Sequence, residues 1–151
     1  MTDQASQQAI IHAPPERCFA VAADFARYPE WASDVKQASV LTRDAEGRGG
    51  EVEYRAAALG RSTTYVLRYN YGSNPLRLSW RLMRGDLMHR LDGEYEFAAA
   101  PDDPTSTEVT YYLSVDLAVP LPGFVKRRAE ARIMHTALGE LKTAVESGFG
   151  A

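Results

Sequence analysis

At 151 residues, with 45% apolar and 25% charged side chains, the chain has the size and composition of one folded domain with a sizeable core. Its net charge of −3 offers no global basic field, which argues against nucleic acid and an anionic membrane surface as partners. The lone Cys18 excludes an intrachain disulfide and a multi-cysteine zinc site, and no stretch approaches the roughly 18 consecutive apolar residues of a bilayer span.

The polar start, Met1 to Gln8, lacks the basic-then-apolar pattern of a secretory signal, so a cytoplasmic address is expected. The run Ala9-Ile10-Ile11 predicts a short edge strand. Pro15 then suits the first turn of a helix reaching Ala23, with Cys18, Phe19 and Ala22 on its apolar side. Asp24 caps a second short helix over Phe25–Trp31. From Val35 the apolar period becomes two. Strands are expected over Val35–Arg43, Glu51–Leu59, Ser62–Tyr71, Leu76–Met83, Leu87–Ala98 and Thr107–Ala118. The short Gly-, Asn-, Asp- and Pro-rich links between them require an antiparallel meander, because parallel neighbours need crossovers of about a dozen residues. After Pro120-Leu121-Pro122-Gly123 the period returns to 3.6, and Phe124–Ser147 reads as a long amphipathic helix ended by Gly148. Its apolar stripe runs through Val125, Ala129, Ile133, Met134, Ala137, Leu138, Leu141 and Val145, with Lys126, Arg127, Arg128, Glu130, Arg132, Glu140 and Lys142 mainly opposite. No linker, repeat or low-complexity tract interrupts 1–151, so a single α+β domain is expected.

Strand parity sorts the side chains into two faces. The inner set includes Tyr54, Tyr65, Leu67, Tyr69, Tyr71, Trp80, Leu87, His89, Leu91, Tyr95 and Tyr111, while charged residues including Arg68 fall on the outer set. So many polar-tipped rings facing a helix are hard to satisfy in a dry core. They suit a cavity that holds water or a mostly apolar ligand carrying a few polar atoms. The bland alternative has several of them reaching solvent at the sheet rim. Gly93, in mid-strand, predicts a bulge or bend.

The element order carries recognisable motifs. Ala13-Pro14-Pro15-Glu16-Arg17-Cys18-Phe19 opens the first helix, and Asp24-Phe25-Ala26-Arg27-Tyr28-Pro29-Glu30-Trp31 follows it. Leu91-Asp92-Gly93-Glu94-Tyr95 lies in a strand, and Leu121-Pro122-Gly123-Phe124 precedes the last helix. With these motifs the chain resembles the START-like superfamily in its polyketide cyclase/dehydrase and lipid-transport branch. That resemblance implies a helix-grip fold, in which a curved sheet of about seven strands wraps a long C-terminal helix. It also implies a cavity between sheet and helix, with its mouth near the second short helix, the Leu59–Ser62 and Arg84–Asp86 hairpins and the start of the last helix. Carried onto this sequence, the lining would be Trp31, Tyr54, Tyr65, Leu67, Tyr69, Trp80, His89, Tyr95, Tyr111, Met134 and Leu138.

Templates for catalysis are sparse. His12, His89 and His135 lack metal-ligand spacing, Gly47-Arg48-Gly49-Gly50 is a turn rather than a phosphate loop, and no G-x-S-x-G elbow occurs. Cys18 reads as a small buried hydrophobe. No metal or cofactor is expected. His89, placed inside by parity, is the one candidate acid/base, set against a histidine merely hydrogen-bonded to a tyrosine. Two functions follow: a carrier or binder of a lipid-like or polycyclic hydrophobic ligand, or an aromatase/cyclase or dehydratase using Tyr, Trp and His pocket groups. The resemblance implies pocket Arg groups for a cyclase, and Arg68 points outward.

Overall fold

The computed structural model describes residues 5–58 and 60–150, so Leu59 lies outside the described residues. The chain runs through strand β1 (Ala5–Ile11), helix α1 (Pro15–Ala22), a 3-10 helix (Phe25–Glu30) and strands β2 (Val35–Val40) and β3 (Glu51–Ala58). Strands β4 (Arg61–Ser73), β5 (Leu76–Gly85), β6 (Met88–Ala100) and β7 (Asp103–Leu117) follow, and helix α2 (Gly123–Glu146) comes last. The seven strands form one antiparallel sheet in the order β1-β7-β6-β5-β4-β3-β2. β2 to β7 are therefore the expected meander, and β1 pairs with β7 at the far edge. The two short helices carry the chain from one edge of the sheet to the other.

Local chemistry accounts for the helices. Pro15 occupies the first helical position behind an extended Pro14, where a missing N–H removes no helical bond. Cys18, Val21 and Ala22 bury its inner face, and burial raises the Cys18 thiol pKa, leaving it an inert core group. On α2, Met134, Leu138, Leu141, Ala144 and Val145 are buried among the strands.

Asp24 makes no side-chain cap on the 3-10 helix and β7 starts at Asp103 rather than Thr107; four further details differ from the sequence expectation. β1 starts at Ala5 rather than Ala9, because the inward-facing polar Gln7 is used: its Nε2 donates to the Ala131 carbonyl of α2 at 2.9 Å. Glu130 is not on the wet face of α2. It is 1% exposed, and its Oε2 accepts the Val115 N–H at 3.0 Å. Gly93 is no bulge against β7, where its register with Leu113 is continuous, and the β5–β6 pairing ends at its pair with Trp80. It is instead a close approach, with the Trp80 ring lying over the missing side chain.

The fourth difference is His89. Met88 pairs with Leu117 and Arg90 with Asp116, so β6 advances two residues while β7 advances one. The extra residue turns His89 to the exposed face and puts Met88 inside, where it is 6% exposed. A second shift falls between Val66 and Leu67 in the β4–β5 pairing, but there the extra residue is on β5. β4 keeps its parity, and Arg68 stays outside, 2.7 Å from Glu51.

Candidate ligand chamber

Between the sheet, the 3-10 helix and α2 lies an inner chamber of about 200 Å³. It opens into a vestibule of about 700 Å³ at the end of the sheet formed by the β3–β4 hairpin, the start of β6, the end of β7 and the first turns of α2. Asp34, Ala57, Met88, Ile133 and Thr136 border both spaces, so the two are continuous.

Eight of the eleven side chains named from the sequence line the chamber: Trp31, Tyr54, Tyr65, Leu67, Tyr69, Trp80, Tyr95 and Tyr111. His89 does not, for the reason given above. Met134 and Leu138 are buried at 1% and 3% exposure but belong to the packed core beside the chamber. α2 instead contributes Ile133 and Ala137 from the expected stripe, together with Thr136 and Glu140 beside it, at i, i+3, i+4, i+7 spacing. Tyr28, Met88 and Leu91 also line the wall. Tyr28 could have been read from its place in the Tyr28-Pro29-Glu30-Trp31 element. Met88 could not, because only the bulge turns it inward.

The rings form a continuous aromatic wall. Phe25 stacks on Tyr69 at 4.0 Å between centroids, Trp80 lies 5.3 Å from Tyr95 and 5.6 Å from Tyr111, and Tyr28 sits 5.0 Å from Trp31. Some polar tips are satisfied internally. The Tyr54 and Tyr69 hydroxyls share a hydrogen bond at 2.6 Å, and Tyr28 donates to the Ala22 carbonyl. Tyr71, near the sheet's far end, donates to the Gly49 carbonyl at 2.6 Å. Others are not satisfied. The Tyr65, Tyr95 and Tyr111 hydroxyls have no protein partner among the described residues, and Trp31 Nε1 is buried with none. A buried indole N–H without an acceptor is destabilising by about 1–3 kcal/mol unless something else accepts it.

Burial sets the charge state of this wall. It raises the Tyr28, Tyr54, Tyr69, Tyr95 and Tyr111 phenols well above their ordinary value and pushes Tyr65 up to about 12, with the Asp34 carboxylate adding to the last. At neutral pH the wall is thus a set of uncharged donors. Among the described residues no Lys, Arg or His lines the inner chamber. No group of three or more potential metal ligands occurs among the described residues either.

An alkaline titration follows from these shifts. The unfolded chain releases tyrosine protons near 10, whereas the folded chain holds them to about 12 or beyond, so above pH 10 the unfolded state binds fewer protons. Stability is expected to be intact below pH 10 and to fall as pH rises toward 12. Tyrosinate absorbance should then appear together with the loss of far-UV circular dichroism. Smooth ionisation of most of the eight tyrosines near pH 10, with the fold intact, would contradict the buried wall.

Comparisons with solved structures give the same architecture. A START superfamily protein from Mycobacterium smegmatis superposes with a TM-score of 0.89 at 21% identity, covering 95% of this chain and 97% of that one. A protein from Thermus thermophilus gives 0.78 at 21% identity over 96% and 98%. The Zhui aromatase/cyclase from Streptomyces sp. R1128 gives 0.81 at 13% identity over 97% and 94%. At these identities the likeness is one of fold, the helix-grip arrangement. No curated protein sequence matches the chain. The family model described as polyketide cyclase / dehydrase and lipid transport matches residues 2–146. With nearly the whole chain matched and its helix-grip sheet closed around an aromatic chamber, the protein belongs to the polyketide cyclase / dehydrase and lipid transport family.

Proposed function

We propose that this protein binds and carries a small, mostly apolar, lipid-like or polycyclic molecule bearing hydrogen-bond acceptor oxygens, held between sheet and α2 as a diffusible cytoplasmic carrier. The observation that carries the reading is a Trp31 indole N–H without an acceptor and three phenols without a protein partner, all on residues of one chamber whose remaining lining is mostly apolar apart from Asp34, Thr136 and Glu140. Aromatic walls favour flat rings, and fixed donors favour carbonyl or ether oxygens over plain hydrocarbon. The eight chamber residues named from the sequence, with Tyr28, Met88 and the Ile133–Glu140 stripe, form the proposed contact set. The chamber and vestibule together leave room for a ligand larger than one ring system.

The alternative, cyclase or dehydratase chemistry, calls for a positioned acid, base or cation at the reacting carbon chain. The chamber supplies neutral phenols and two carboxylates, Asp34 at the border with the vestibule and Glu140 engaged by the Ser33 N–H, but no imidazole or guanidinium among the described residues, and the lack of a cation favours carriage.

Native mass spectrometry of protein taken from its source should show a bound oxygenated hydrophobe. A titration followed by tryptophan fluorescence gives a second readout. Flavone, which carries a carbonyl acceptor, should saturate the protein, and Trp31→Phe should weaken it about fivefold, the loss of one hydrogen bond. Naphthalene, which has no acceptor, should be indifferent to that change. No saturable binding of either probe, together with no co-purifying species, would overturn the proposal.

A further inference from the structure

We propose that the mouth of the vestibule docks onto an anionic lipid bilayer, inserting the Val119–Phe124 tip between lipids. Seven large apolar side chains are exposed among the described residues; Ile10, Leu41 and Met83 lie on or beside separate strands, and the other four gather at one end. Val119 and Phe124 are each 61% exposed, and Leu121 and Ile133 join them at the same end of the molecule. Val119, Leu121 and Ile133 line the vestibule, and Phe124 lies in the first turn of α2. Isolated exposed apolar residues need no explanation, but a protruding cluster at the rim of a cavity does.

Charge selects the occupant. The net −3 of the chain is unevenly spread: Lys126, Arg127, Arg128 and Arg132 follow the apolar tip within ten residues. The one acidic residue among them, Glu130, is buried. Phe124, Arg128 and Arg132 succeed one another at four-residue spacing and share one exposed face of α2. Arg61 adds a further cation at the β3–β4 hairpin beside Gly60, another vestibule residue. On the acidic side, Asp34 lies on the rim, and Asp116 is held by Lys126 at 2.8 Å and Arg90 at 3.4 Å.

Lys126 and Arg127 sit at or next to the first turn of α2, at the positive end of the helix dipole, where basic side chains are unfavourable. The first turn has no acidic residue and no side-chain cap. A negative surface would offset that local repulsion, and an apolar tip ringed by arginines fits an interfacial zone whose headgroups are anionic and whose interior is hydrocarbon. Docked in this way, the mouth opens directly on the lipid phase, so an apolar cargo would leave or enter without crossing water.

Co-sedimentation with vesicles of phosphatidylcholine, with and without phosphatidylglycerol, tests this with the full chain. Binding is expected only to the anionic vesicles and should weaken as salt is raised. Arg128→Gln with Arg132→Gln should lower vesicle affinity about tenfold or more, at roughly 1 kcal/mol per basic residue. Phe124→Ser should lower it several-fold. All three residues are exposed, so far-UV circular dichroism should be unchanged in these variants. Equal binding to neutral vesicles, or binding unaffected by these variants, would overturn the proposal. So would binding to neither vesicle, which would leave the patch to a protein partner. Vesicle binding is read without any chamber ligand, so its failure and that of the carrier reading are separate results.

Discussion

Replacing Gly93 by alanine is expected to lower the stability of the protein by about 3 kcal/mol, at the upper end for an overpacked core site. A Cβ at this position would fall on Cζ2 of Trp80, 2.7 Å from Cε2 of the same ring and 2.9 Å from the Tyr112 carbonyl oxygen. Neither neighbour yields without cost. Trp80 is wedged among Tyr69, Tyr95 and Tyr111, and the Tyr112 carbonyl is backbone in the β6–β7 ladder. The substitution should also displace the indole into the chamber and weaken flavone binding. The two obstacles can be separated. In a Trp80→Leu background the ring contact is gone, so Gly93→Ala should cost less there, while the part due to the Tyr112 carbonyl persists. Equal costs in both backgrounds, measured by urea unfolding, would show that the ring does not set the requirement for glycine.

Glu130→Ala should destabilise by about 2–3 kcal/mol, because it orphans a buried backbone donor and leaves a void. Among the described residues, β1 pairs with β7 from Ile11 to Ala5, the last pair being Ala5 opposite Leu113, two residues short of Val115. The Glu130 carboxylate from α2 accepts the Val115 N–H at 3.0 Å. Glu130→Gln keeps an acceptor oxygen of the same reach and should cost less than about 1 kcal/mol. The contrast matters more than either value. Equal losses in Ala and Gln variants would mean that the negative charge, rather than the acceptor, is what β7 requires. Amide hydrogen exchange at Val115 gives an independent readout, with protection lost in the Ala variant and kept in Gln.

Both residues also show how far local pattern reaches. The strand count, the antiparallel meander and the terminal helix were legible because a period of two changes to 3.6 at Pro120–Gly123 and short turn-rich links leave no room for crossovers. Most of the chamber wall was legible by parity: Tyr54, Tyr65, Leu67 and Tyr69 alternate cleanly along β3 and β4, as do Tyr95 and Phe97 along β6. Parity fails where a strand gains a residue. One extra residue at the start of β6 exchanged Met88 for His89, and nothing in Leu87-Met88-His89-Arg90 announces it. On α2 the hydrophobic stripe gave the buried face but not its division. Met134 and Leu138 pack into the core, while Ile133, Ala137 and the more polar Thr136 and Glu140 border the chamber.

The chamber itself remains the centre of the account. Alternating apolar and charged residues, with turn residues between them, determine by themselves that one curved face of this protein must be buried against a helix, and that this face carries more phenols than a dry core can pair. That much is local chemistry. Which phenols pair with each other, which remain open, and that the Trp31 indole is left without an acceptor depend on distances between residues far apart in the chain, and only the packed structure decides them. The same holds for the mouth. Composition reports a net charge of −3, because it sums over the whole chain. Folding places the exposed apolar tip and the arginines of α2 at one opening, and it is local potential, not the sum, that a neighbouring surface meets.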